Sequence, residues 1–166
     1  MATKIVILTI IFFTISTDSF SAQNFIGRYG NWEAFTEKEG RQLVCSIGSE
    51  PIKKEGNYKY RGQTYILVTH RPSEKSANVL SVVAGYNFKK DSEGIIIIGK
   101  KKTKLFTDGS HAFAHNSKTD NILVKSMIKG STMVFKGISS RGTKTTDTYS
   151  LTGFTAAYKS INAACK

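Results

Sequence analysis

The chain has 166 residues, 40% of them hydrophobic, and 24 Lys and Arg against 12 Asp and Glu give it a formal charge of +12. That suits one ordinary domain with a real core, and the charge favours attraction to anionic surfaces without specifying a fold. Two cysteines with no nearby histidine exclude a thiolate metal centre, and no apolar run approaches the roughly 20 residues of a spanning helix.

In chain order, Lys4 precedes the apolar run from Ile5 to Phe13, and a polar, small-residue stretch from Ser16 to Ala22 follows. These are the parts of a secretory signal peptide, so residues 1–22 are expected to be removed and residues 23–166 to form the exported domain. Ser19 and Ser21 make a cut after Ser21 the best fit, and no cysteine at the exit offers a lipid anchor. The leader carries Lys4 and Asp18, so the charge survives its removal.

Beyond it, short runs rich in Val, Ile, Thr, Tyr and Phe alternate with Gly, Asn, Asp, Ser and Lys clusters. The pattern predicts strands at Trp32–Thr36, Gln42–Ile47, Thr64–Thr69, Val79–Ala84, Ile95–Ile98, Lys104–Thr107 and Met133–Ile138. Ile95–Ile98 and Leu80–Ala84 are apolar on both faces, which predicts central strands covered on both sides. A short helix is predicted over Asp120–Lys129, with Asp120 as its N-cap and Gly130 as its stop. In Thr152–Ala164 the apolar residues Phe154, Ala157, Tyr158, Ile161 and Ala164 recur at helical spacing and mark an amphipathic C-terminal helix. The fold class is therefore mainly β, a β-sandwich or open barrel closed by that helix.

Cys45 and Cys165 are the only cysteines. Outside the cytosol such a pair is expected to be bridged, closing a loop of about 120 residues and clamping the last helix to the sheet. Lys100, Lys101, Lys102 and Lys104 form a basic tip between two strands, suited to phosphates or headgroups, or to discouraging edge pairing. No aromatic interleaves these lysines, so a stacking platform for nucleic acid is not supported. The segment Gly137–Tyr149 reads as a hairpin loop with Asp147 paired to Arg141 or taking a turn hydrogen bond. The alternative is an anion-binding nest with Arg141 and Lys144. His111 and His115 lack a carboxylate at ligand spacing, so no metal site and no cofactor are expected. His70, Asp147 and Ser150 could be written as a hydrolytic triad, but Ser150 stands in no nucleophile elbow. Trp32, Tyr65, Tyr86, Phe88, Phe135, Tyr149 and Phe154 read as core and sheet packing.

The stretch Ser139–Ala157, with Arg141, Gly142, Asp147, Tyr149, Ser150, Gly153 and Phe154, closely resembles the C-terminal signature of the invasion-associated locus B family, exported proteins of Gram-negative bacteria. The same family is resembled, in order, by Gly30-Asn31-Trp32, Cys45, Leu67–Pro72, Ser81–Tyr86, Leu105–Gly109, Ala112–Ala114, Met127–Gly130 and terminal Cys165. Two departures are Phe113, where members often carry Trp, and the lysine-rich run at Lys100–Lys104. The resemblance implies an exported location, the disulfide and a binding or structural role, but no molecular activity. The expected function is non-enzymatic: a periplasmic or surface protein meeting an anionic envelope component (lipopolysaccharide, lipid headgroups or glycans) or an envelope protein. An envelope hydrolase or transferase with a small polar site on the sheet is the alternative.

Overall fold

Wherever two β-prone runs meet at a Gly-X pair, the chain reverses into a hairpin. The computed structural model, which describes residues 23–166, does this at Gly30, Gly40, Gly99 and Gly109, with φ of 58°, 62°, 57° and 55°. Each glycine is the first of two loop residues, where a II′ turn requires positive φ. The expected leader, residues 1–22, lies outside the described residues.

The strands are β1 (Asn24–Tyr29), β2 (Trp32–Glu39), β3 (Gln42–Ser49), β4 (Lys53–Gly56), β5 (Tyr65–Arg71) and β6 (Ser76–Val83). They continue with β7 (Gly94–Ile98), β8 (Lys101–Asp108), β9 (His111–Phe113), β10 (Thr132–Ile138) and β11 (Lys144–Ser150). All pair antiparallel in one open sheet, ordered β1-β2-β3-β5-β6-β9-β8-β7-β10-β11-β4. The sheet curls until its two ends meet: the Trp32 indole donates to the Ser150 carbonyl at 2.9 Å, and Asn31 N–H to the Thr152 carbonyl at 3.1 Å. Inward side chains from both halves, among them Trp32, Ile47, Ile66, Leu80, Ile96, Leu105, Phe135 and Tyr149, share one buried cluster.

Two helices seal this core. Helix α1 (Ser117–Lys129) crosses β6, and Leu123, Val124 and Met127 are its buried face. Its N-cap is Asn116, whose side chain accepts from Thr119 N–H at 3.0 Å, not the expected Asp120. Asp120 sits a turn further in, buried, and accepts the Leu80 N–H of β6 at 2.9 Å. That amide needs a partner because β9 pairs with β6 only over Ser81–Val83. Burial raises the Asp120 carboxyl above its usual range, and the Leu80 bond works the other way. Gly130 ends the helix as expected.

Helix α2 (Phe154–Ala164) lies along β1, β2 and β3. Phe154 meets Trp32 edge-on at 4.9 Å between ring centres, and burying such a ring is worth about 2–3 kcal/mol. Cys165 bonds Cys45 on β3 across 6.1 Å between Cα atoms, so the bridge clamps the helix end to the sheet as predicted.

All seven predicted strands form, but the sheet is longer. The polar or short β1, β4 and β9 are added, and the expected loop Gly137–Tyr149 contracts to a turn followed by β11. Ile95–Ile98 is central, yet only Ile96 and Ile98 point into the core. Ile95 and Ile97 are half-buried on the outer face, where the expected second cover is not found among the described residues.

Candidate functional site

Two surfaces collect the chemistry-bearing side chains. The first is the outer face of β8, β7, β10 and β11. The expected basic tip is largely strand: only Gly99 and Lys100 turn, and Lys101 opens β8. Alternation then exposes Lys102 and Lys104 on the outer face while Leu105 goes inward. The register sets them in rows across the sheet. Lys104, Ile95, Lys136 and Thr146 stand side by side, as do Lys102, Ile97, Val134, Thr148 and Lys53. Lys104 pairs with Glu93 at 2.7 Å and Lys53 with Glu55 at 2.9 Å. Half-buried isoleucines between exposed lysines make a basic face with an apolar ground.

Arg141 belongs elsewhere. The register places Lys100 beside the Thr132 end of β10 and Arg141 beyond its Ile138 end, about 20 Å away along a seven-residue strand. Lys144 opens β11 opposite Ile138. Lys100 and Arg141 thus stand at opposite ends of the strands, and Lys104, in the row of Lys136, lies between them.

The second surface is a cleft of about 560 Å3 at the Arg141 end. It is walled by the segment between β4 and β5 (Asn57, Tyr58, Lys59, Tyr60), the stretch after β6 (Tyr86, Asn87) and the β10–β11 turn. Glycines hold these walls together. Gly85, at φ 72°, approaches Gly62 so closely that a Cβ would stand 2.5 Å from its carbonyl oxygen, and Gly62 N–H donates to Gly85 at 3.0 Å. A Cβ on Gly137 would lie 2.5 Å from the Tyr86 hydroxyl.

Arg61 forms the floor. Its side chain is 4% exposed, and its two terminal nitrogens donate to the two carboxylate oxygens of fully buried Asp147 at 2.7 and 2.6 Å. Its Nε donates to the Ala84 carbonyl at 2.7 Å, and the rings of Tyr86 and Tyr58 stand 5.1 and 5.6 Å away. Burial is the largest single influence and works against the guanidinium charge, but the hydrogen bonds and charge of Asp147 together with Tyr58 and Tyr86 outweigh it, and the group is held more firmly protonated than usual. Burial likewise raises the Tyr86 phenol, which bonds Thr145 Oγ1 at 2.6 Å. Asp147 therefore pairs with Arg61 and not with Arg141, the expected partner. The turn's amides are also engaged: Ser139, Ser140, Gly142 and Thr143 each donate within the protein at 2.8–3.1 Å. Arg141 lines the cleft at this turn.

The other singled-out residues have structural partners. His70 Nδ1 accepts from Asn78 N–H at 3.0 Å, and its ring packs edge-on to Tyr158. Tyr149, Phe135 and Phe154 are core. Gly153, at φ 92°, meets the β1–β2 turn so closely that a Cβ would fall 1.7 Å from the Tyr29 carbonyl oxygen. His111, Phe113, Phe106 and His115 cluster on the outer face of β8 and β9. Among the described residues, no three His, Cys, Asp or Glu side chains gather in a metal-holding group. Arg61 and Lys136 escaped the sequence reading. Lys136 was legible as the polar position of an alternating strand, whereas nothing local ties Arg61 to a carboxylate 86 residues away.

A curled antiparallel sheet closed by a disulfide-held helix defines a small stapled β protein. The family model for invasion associated locus B (IalB) protein matches residues 32–162, from Trp32 to within α2, and the chain belongs to that family. No curated protein and no solved structure matches it significantly.

Proposed function

We propose that this is an exported envelope protein of a Gram-negative bacterium with a non-enzymatic binding role, whose outer sheet face docks on phosphate-bearing lipid. The observation that carries this is the register of Lys102, Lys104 and Lys136 around Ile95, Ile97 and Val134 on one exposed face. Lysines reach headgroup phosphates while the apolar ground lies against the interface, and the attraction is screened by salt. A non-enzymatic role draws support from the cleft floor, where Arg61 and Asp147 occupy one another. Among the described residues no helix is long and apolar enough to cross a membrane, so contact of this kind would be peripheral.

The test is cosedimentation of the disulfide-bonded protein with vesicles of phosphatidylcholine alone, phosphatidylcholine with phosphatidylglycerol, and lipopolysaccharide, across a salt series. Binding should require an anionic lipid and fall as salt rises. A Lys102→Glu, Lys136→Glu double variant should bind about ten-fold more weakly or worse. The vesicle type bound more tightly identifies the source of the phosphate. Equal binding to phosphatidylcholine, or an unaffected double variant, overturns the proposal.

A further inference from the structure

The Arg61 cleft lies at the other end of the hairpin from Lys100 and has a different chemistry. We propose that it is a binding site for an acidic saccharide, a carboxylated or sulfated sugar. Its volume of about 560 Å3 falls within the roughly 300–1,000 Å3 of small-ligand sites. Three tyrosines stand on it: Tyr58 and Tyr86 flank the fixed guanidinium, and Tyr60 at the rim is 88% exposed. Packing within the fold does not account for so open a phenol ring in that place. Tyrosine rings offer flat apolar faces to the C–H faces of a sugar ring, with a hydroxyl at the edge.

Asn57, Asn87, Ser140 and Thr143 line the cleft between them, beside Ser139, whose hydroxyl accepts the Thr143 N–H. Sugar hydroxyls require that mixture of amides and hydroxyls, because each is donor and acceptor at once. The charge on the lining has one sign. Lys59 and Arg141 are its cations besides Arg61, which Asp147 neutralises, and no Asp or Glu lines the cleft. A bound sugar therefore gains from carrying an anion, for which Arg141 offers a planar two-pronged donor. Free phosphate is the poorer match. Such sites are built from converging backbone N–H groups, and here the amides of Ser139, Ser140, Gly142 and Thr143 are already bonded internally. The rigid pair beneath is what makes this a preformed site: Arg61 holds Tyr58 and Tyr86 apart at fixed distances while contributing no net charge.

The experiment is amide chemical-shift titration of the disulfide-bonded protein with a galacturonate trisaccharide, a hyaluronan tetrasaccharide and a heparin tetrasaccharide. Each is paired with its methyl-esterified or desulfated form, and inorganic phosphate is run alongside. At least one acidic sugar at about 1 mM, the weak end of measurable affinity, should shift residues 57–61, 85–87 and 139–143 more than its neutral partner. Arg141→Ala should weaken that sugar about ten-fold and abolish its advantage over the neutral form. Tyr60→Ala should weaken both forms alike. Lys102→Glu, Lys136→Glu should leave the titration unchanged, which separates this site from the lipid-docking face. The proposal is overturned if no acidic sugar binds, if phosphate shifts the same residues equally, or if the shifts spread over β7, β8 and β10 and vanish in the lysine variant.

Discussion

A guanidinium and a carboxylate taken out of water each lose several kcal/mol of hydration, and only close, saturated pairing makes their burial tolerable. Arg61 and Asp147 meet that demand with two parallel bonds, and the Ala84 carbonyl takes a third donor. Removing one partner strands the other. Asp147→Asn should cost about 3 kcal/mol, whereas Arg61→Met with Asp147→Leu should recover most of it. Urea unfolding midpoints of the two variants decide this, and equal midpoints would mean the pair is not the cause. His70 supplies one source of pH dependence. Burial depresses its pKa, and its Nδ1 must stay unprotonated to accept from Asn78. A depressed folded pKa means the unfolded chain takes the proton first. The His70 contribution is therefore complete above about pH 6.5, the unfolded value, and is lost as pH falls through the folded one. His70→Asn keeps an acceptor without a titration. Comparing unfolding free energies at about pH 7 and pH 5 should show a smaller loss in that variant.

At the level of elements, the seven strands β2, β3, β5, β6, β7, β8 and β10 were legible from their β-prone composition, though the all-isoleucine run of β7 did not announce its inner face. The four that were not legible have physical reasons. β4 is Lys-Lys-Glu-Gly, exposed throughout, and exists because Asp147 and its neighbours on β11 offer it an edge. β9 is three residues inserted between β6 and β8. β1 is an edge strand, and β11 is mostly Thr and polar, so hydrophobicity hides it. The Asp120 side chain was misplaced for a related reason: an acidic residue near a helix start looks like a cap, and only the short reach of β9 shows which amide needs it. Gly153 joins two elements that sequence distance keeps apart. A Gly153→Ala variant must displace the Tyr29 carbonyl and adopt positive φ, and should lose about 2–3 kcal/mol. A thermal melt that matched the parent protein would show the α2–β1 contact to be yielding.

Over the whole molecule, net charge and family were both legible, and neither located a site. Two basic regions emerge from the +12 excess only once the register is known, because rows of a sheet unite residues that sequence separates: Lys104 and Lys136 flank Ile95, on three different strands. The candidate cleft was less visible still, its walls coming from three segments joined by glycine contacts. The bridge from Cys45 to Cys165 has a consequence in time as well as in space. A ribosome adds the second cysteine 120 residues after the first. No other cysteine stands between the two, so Cys45 has no partner until helix α2 has been made. A chain released before Cys165 cannot close the ring, so an intramolecular bridge marks a molecule whose α2 has already been made.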